Sequence, residues 1–164
     1  MKLVEGVARV DDLEEFLAEI DRIGEETGAI VQVFDARYVV SREHLERAVE
    51  LADRARDRGE EIARDPAVEI LLYAAGRRQI DRALEMGIEE GETPAVAVVV
   101  GDDGDESAAT AALTSLLADA DTLGKYDETR VREFFEVSAA ELAAVNGGLA
   151  DVVLERVALL DIEK

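Results

Sequence analysis

Residues 69–87 read EILLYAAGRRQIDRALEMG, and the arrangement of the whole chain turns on how they fold. Aliphatic residues recur at helical spacing in two short blocks, Val68/Leu71/Leu72/Ala75 and Ile80/Ala83/Leu84, with Gly76 between them and Gly87 after them. The pattern predicts two short helices joined at a glycine. Arg77, Arg78 and Gln79 then project from a bend that the apolar blocks hold against a core. Just upstream, Asp65 and Pro66 supply an N-cap and a first-turn proline.

On the N-terminal side, Ser41 is placed to cap a helix running to Arg58, apolar at Leu45, Ala48, Val49, Ala52 and Ala55 and stopped by Gly59. Arg47, Arg54 and Arg58 share one side of it, with Glu43, Glu50 and Asp57 available as ordinary surface partners. Charge separates this region from the rest. Residues 42–82 hold nine arginines and ten acids, whereas the whole chain carries a net charge of −21. A nearly neutral segment inside so acidic a chain is where a partner is expected.

Farther out, residues 3–10 read as a strand and residues 29–36 (AIVQVFDA) as a second, with a helix between them apolar at Leu13, Phe16, Leu17 and Ile20. The run AVAVVVG at residues 95–101 predicts a strand covered on both faces. An Ala/Leu helix follows from about Ser107 to Leu117, then helices beginning at Asp127 and at the Ser138/Glu141 capping box. A short helical turn and a last strand, RVALLDI at residues 156–162, complete the expectation.

The 164 residues read as one domain, large enough to bury a core without staples. With no cysteine and a single histidine, His44, the chain has no disulfide, thiolate nucleophile, zinc finger or multi-histidine metal site. No apolar run reaches the roughly 20 residues of a membrane span, and the start, MKLVE, turns acidic too soon for a signal peptide. A soluble cytoplasmic protein is expected. Acid excess, three lysines against fifteen arginines, and 48% hydrophobic residues resemble a protein of a salt-loving archaeon, in which concentrated salt screens self-repulsion.

Catalytic signals are sparse. No G-x-G-x-x-G or Walker-type loop occurs, so no nucleotide cofactor is expected. The loop Asp102–Glu106 lacks EF-hand spacing, and His44 has no nucleophile placed beside it by a known motif. An enzyme reading rests on Asp102 or Asp103 as acid/base at the strand ends, without catalytic partners or a metal site. For nucleic acid, Tyr38, Tyr73 and Tyr126 are the polar-tipped aromatics available for stacking.

Arg42-Glu43-His44-Leu45 opening a helix, then Ala63-Arg64-Asp65-Pro66-x-x-Glu69-Ile70-Leu71-Leu72-Tyr73-Ala74-Ala75-Gly76-x-x-Gln79-Ile80-x-x-Ala83-Leu84, then Ala158-Leu159-Leu160-Asp161, resemble the kinase-binding subunit of the KEOPS complex, the TPRKB family. The resemblance implies an α+β fold, a small, mostly antiparallel four-stranded sheet flanked by about seven helices. It also implies a non-catalytic subunit that binds the atypical kinase/ATPase of KEOPS. Archaeal members capture the tRNA CCA end while a separate transferase subunit makes threonylcarbamoyl-adenosine. Carried onto this sequence, Ile70, Leu71, Tyr73, Ile80 and Leu84 are the expected kinase interface, and Arg64, Arg77, Arg78 and Gln79 the expected tRNA contacts.

Overall fold

The computed structural model describes residues 1–163. In chain order these form β1 (Lys2–Val10), α1 (Leu13–Thr27), β2 (Ile30–Asp35), α2 (Arg42–Asp57), α3 (Pro66–Ala75), the single turn α4 (Ile80–Ala83) and β3 (Gly91–Val100). There follow α5 (Glu106–Leu116), the two-residue β4 (Ala118–Asp119), α6 (Glu128–Phe134), α7 (Ala139–Ala144) and α8 (Leu149–Glu163). Tight 3-10 turns occupy Ala36–Tyr38 and Leu84–Met86. The class is α+β, with eight α-helices among the described residues and one wholly antiparallel four-stranded sheet.

Contacts divide the chain into two units, each made of two stretches of sequence. The first holds residues 1–36 and 87–123. Its sheet has the order β2-β3-β1-β4, so the β1-α1-β2 unit is split, with β3 running antiparallel between its two strands. Along β1, Val4, Gly6, Ala8 and Val10 face inward at a period of two, the register that a half-buried strand imposes. α1 lays Phe16, Ile20 and Ile23 on the core and leaves Leu17 exposed. On β3 every residue from Ala95 to Val99 is buried, as the continuous apolar run predicts. The strand also begins earlier than the run. β2 pairs only from Ala95 onward, so around Pro94 the strand has a partner on one side, where a residue lacking an N–H is tolerated.

Charged Glu5, within β1, has a structural task. Its carboxylate accepts the backbone amides of Thr122 (2.9 Å) and Leu123 (2.7 Å), while the Thr122 hydroxyl donates to the Ala95 carbonyl (2.7 Å). The chain leaving β4 is thereby held to the sheet.

The expected last strand, residues 156–162, is instead part of α8. Val152, Val153, Val157 and Leu160 are buried at helical spacing, and seven mostly aliphatic residues do not distinguish a buried strand from a helix segment. The fourth strand is β4, paired to β1 only at Gly6 and Val7.

The second unit holds residues 37–86 and 124–163, all helical or loop among the described residues. α3 packs against both α2 and α8. Edge-to-face pairs Tyr38–Phe134, Phe134–Phe135 and His44–Phe135, with centroids 5.5, 4.9 and 5.8 Å apart, fill the space beside α6.

Gly6 gives a test of the sheet edge. A Cβ there would meet the Ala118 carbonyl oxygen at 2.6 Å. Gly6→Ala should therefore push β4 away and cost about 1–3 kcal/mol in urea unfolding; an unchanged midpoint would show that β4 is not held against β1.

Candidate functional site

The site is built on α3. Asp65 caps it, its carboxylate accepting the Ala67 amide at 2.9 Å, and Pro66 opens the first turn. Glu69 through Ala75 are then all buried, so beyond its half-buried first turn α3 has no solvent face. Such a helix must satisfy its polar groups internally. The Glu69 carboxylate accepts the backbone amides of Ile62 (3.0 and 3.1 Å) and Ala63 (2.8 Å). The Tyr73 hydroxyl donates to Asp161 on α8 at 3.1 Å.

His44 closes the other end. Its Nε2 lies 2.7 Å from the Ala74 carbonyl and its Nδ1 3.3 Å from the Val40 amide. A carbonyl only accepts and an amide only donates, so Nε2 carries the hydrogen and the ring is neutral. Burial lowers its pKa from 6.5 to about 4, against the opposing pull of the Ala74 carbonyl. The histidine is a helix-packing group, not a base facing a substrate.

The helix ends at Gly76 in the left-handed conformation, φ 61°. Beyond it the predicted bend is present, but its three polar residues have different roles. Arg77 turns inward. It donates to the Phe134 carbonyl, sits 5.0 Å above the Phe134 ring centroid, approaches Glu136 at 3.4 Å, and leaves only 17% of its side chain exposed. Arg78 and Gln79 are exposed. So is Arg64, in the loop before α3, and neither Arg64 nor Arg78 has an ion-pair partner among the described residues. Arg78 lines an open groove of about 550 Å³ together with Glu60, Glu61, Ile62, Asp161 and Ile162.

The five expected interface residues also divide. Ile70, Leu71 and Tyr73 are core residues, because α3 is enclosed and not solvent-facing; Ile80 and Leu84, 48% and 57% exposed, form the outward apolar surface. They are four residues apart, hence on one side of the turn. Beneath them Ala83 and Met86 are fully buried, and Glu85 accepts from the Tyr38 hydroxyl at 3.3 Å, so the turn is anchored with its two large aliphatic side chains outward. Tyr38 and Tyr73, being buried, offer no stacking face; Tyr126 is half-buried. Burial raises the Tyr38 pKa, with the nearby Arg130 opposing.

On α2 the arginines behave mostly as surface pairs, Arg47 and Arg54 sharing Glu50 at 3.6 and 3.0 Å, while Arg58 has no such partner among the described residues. Arg156 is the residue that sequence reasoning missed. It grips both oxygens of Glu141 (2.7 and 2.6 Å) and donates to the carbonyls of Phe135 (3.1 Å) and Glu136 (3.2 Å), stapling the α6–α7 connection to α8. That bidentate hydrogen bond holds the Glu141 carboxyl below the usual range. Asp102 and Asp103 lie exposed in the turn after β3, where Glu106 accepts the Gly101 amide at 3.0 Å.

Residues 7–161 match the model of a protein family described as kinase binding protein CGI-121. The chain belongs to this family. The match runs through both units and takes in every residue of this site except Ile162 of the groove. No curated protein matches the chain significantly. Set on the CGI-121 match, the block EILLYAAG is the buried α3, and the residues after it carry the exposed groups. None of the helices among the described residues is long and apolar enough to cross a membrane.

The His44 geometry predicts a pH dependence. The folded pKa is depressed, so this contribution is fully present above about pH 6.5 and is lost as pH falls towards about 4. Between pH 7 and 4.5 the wild type should lose roughly 2–3 kcal/mol through this group. His44→Gln should start less stable and show a correspondingly shallower pH slope in parallel denaturation series; equal slopes would mean that His44 titrates normally.

Proposed function

We propose that this chain is the non-catalytic regulatory and tRNA-binding subunit of a KEOPS complex, cytoplasmic and from a salt-loving archaeon. It binds the atypical kinase/ATPase through the Ile80/Leu84 turn. Through the kinase it acts indirectly on the transferase that makes threonylcarbamoyl-adenosine, and it supports that modification by capturing the tRNA CCA end. The observation that carries the reading is the match to a kinase-binding family, combined with an anchored turn that presents two exposed aliphatic side chains four residues apart. Fixed apolar anchors of this kind dominate protein interfaces, because desolvating them costs little and their rotamers are already restricted. The haloarchaeal assignment rests on the −21 net charge and scarce lysine.

For tRNA, Arg64, Arg78 and Gln79 are the contacts the reading retains, since their side chains are exposed and the two arginines are not paired. Arg77 supports the bend from inside. In concentrated salt, counterion release contributes little, so a guanidinium fork must act through directed hydrogen bonds to phosphate or base.

Ile80→Asp/Leu84→Asp should keep its melting temperature, because both residues are exposed, and lose about tenfold or more in affinity for the host's KEOPS kinase in high-salt pull-downs. Retained kinase binding by the folded variant would remove the turn from the interface. Separately, Arg64→Glu/Arg78→Glu should bind a CCA-ended tRNA transcript about tenfold more weakly in matched salt, with kinase binding intact; wild-type affinity would remove these arginines from the RNA contact.

A further inference from the structure

Glu69 is fully buried and has no cationic partner among the described residues. A carboxylate in such a place is costly unless its oxygens are well used. Here they hold the amides of Ile62 and Ala63 through three contacts of 2.8–3.1 Å. These two residues belong to the irregular stretch 59–64 between α2 and α3, which has no helix or strand hydrogen bonds of its own beyond the turn closing α2. Arg64 follows immediately, and after it Asp65 is fixed as the cap of α3. The backbone of Arg64 is thus clamped on both sides while its side chain is exposed and unpaired. Ile62, held by the same carboxylate, lines the groove that Arg78 also lines.

We propose that Glu69 is a positioning residue for the anionic partner. From inside the core it fixes the loop so that the Arg64 guanidinium is presented to a phosphodiester in a set place. This rests on the tRNA reading above. The physical gain is preorganisation: a loop already ordered loses less conformational freedom when the ligand arrives. The role differs from that of the surface carboxylates, which bond arginines and leave fewer donors for a ligand.

The test uses the full chain in concentrated potassium chloride with a CCA-ended tRNA transcript and the host's KEOPS kinase as the two probes. Glu69→Gln keeps one acceptor oxygen but sets an NH2 against the Ile62 amide. It should bind the transcript about tenfold more weakly and the kinase as the wild type does. If Glu69→Gln binds the transcript normally while Arg64→Glu/Arg78→Glu loses it, the positioning role is overturned and the tRNA reading stands. Loss of both partners by a folded Glu69→Gln overturns the positioning role as well, since Glu69 would then serve the fold at large. A wild-type chain that does not bind the transcript overturns both readings. Should Glu69→Gln fail to fold, hydrogen exchange on the wild type decides: the Ile62 and Ala63 amides should exchange as slowly as those of α3, and fast exchange overturns the proposal.

Discussion

A ten-residue helix buried from Glu69 to its end sets the terms for the second unit. An apolar helix can be enclosed without penalty only if the polar atoms carried inside with it find partners. On α3 those partners come from three separate places: loop amides for Glu69, a neutral imidazole for the Ala74 carbonyl, and Asp161 of α8 for Tyr73. Each tie crosses a different part of the chain, so satisfying the helix also fixes the loop before it, the start of α2 and the end of α8. Gly76 completes the arrangement. Its left-handed φ ends the helix, and a Cβ there would stand 3.2 Å from the Arg156 carbonyl.

Electrostatics divides the same unit into paired and unpaired cations. Most arginines here have partners, among them Glu46 and Glu50 on α2, Asp127 at the start of α6, Glu141 at the α6–α7 connection, and the Phe134 ring and carbonyl. In a chain with 39 acids, an arginine that stays exposed and unpaired is the unusual case, and Arg58, Arg64, Arg78 and Arg82 all lie within the charge-balanced stretch. Their freedom is a property of placement. Arg64 and Arg78 each adjoin a residue whose backbone amide is committed to an internal bond, Ala63 to the Glu69 carboxylate and Arg77 to the Leu72 carbonyl.

Much of this was legible in residue spacing. Caps expected at Ser41, Asp65, Asp127 and Ser138 all form side-chain bonds to the helix they open, because a short oxygen-bearing side chain before an apolar period has few other uses. The first two strands with a helix between them and the buried β3 followed from alternation and from an unbroken apolar run, whereas the insertion of β3 between β1 and β2 is a matter of pairing that spacing does not show. What spacing could not separate was strand from helix over residues 156–162, and buried from exposed over 69–87. The first ambiguity is inherent in a short aliphatic run, where both conformations bury the same side chains. The second arises because periodicity gives a helix a face but not a neighbour: α3 is covered by both α2 and α8, a fact of tertiary arrangement. Arg156 escaped for the same reason, its four acceptor oxygens lying 15 to 21 residues upstream.

The division between α3 and the turn after it follows from what each must do energetically. A surface offered to a partner has to be apolar enough to gain by burial and yet remain exposed in the free chain. Ile80 and Leu84 satisfy both conditions only because Ala83 and Met86 anchor the short turn from beneath; a single helical turn alone in water is not stable. The enclosed helix therefore supplies the rigidity, and the irregular segments at its two ends, residues 59–64 and 76–86, supply the exposed groups. The most recognisable part of the sequence, EILLYAAG, is on this account the support of the candidate site, and the less regular residues on either side of it carry the exposed side chains.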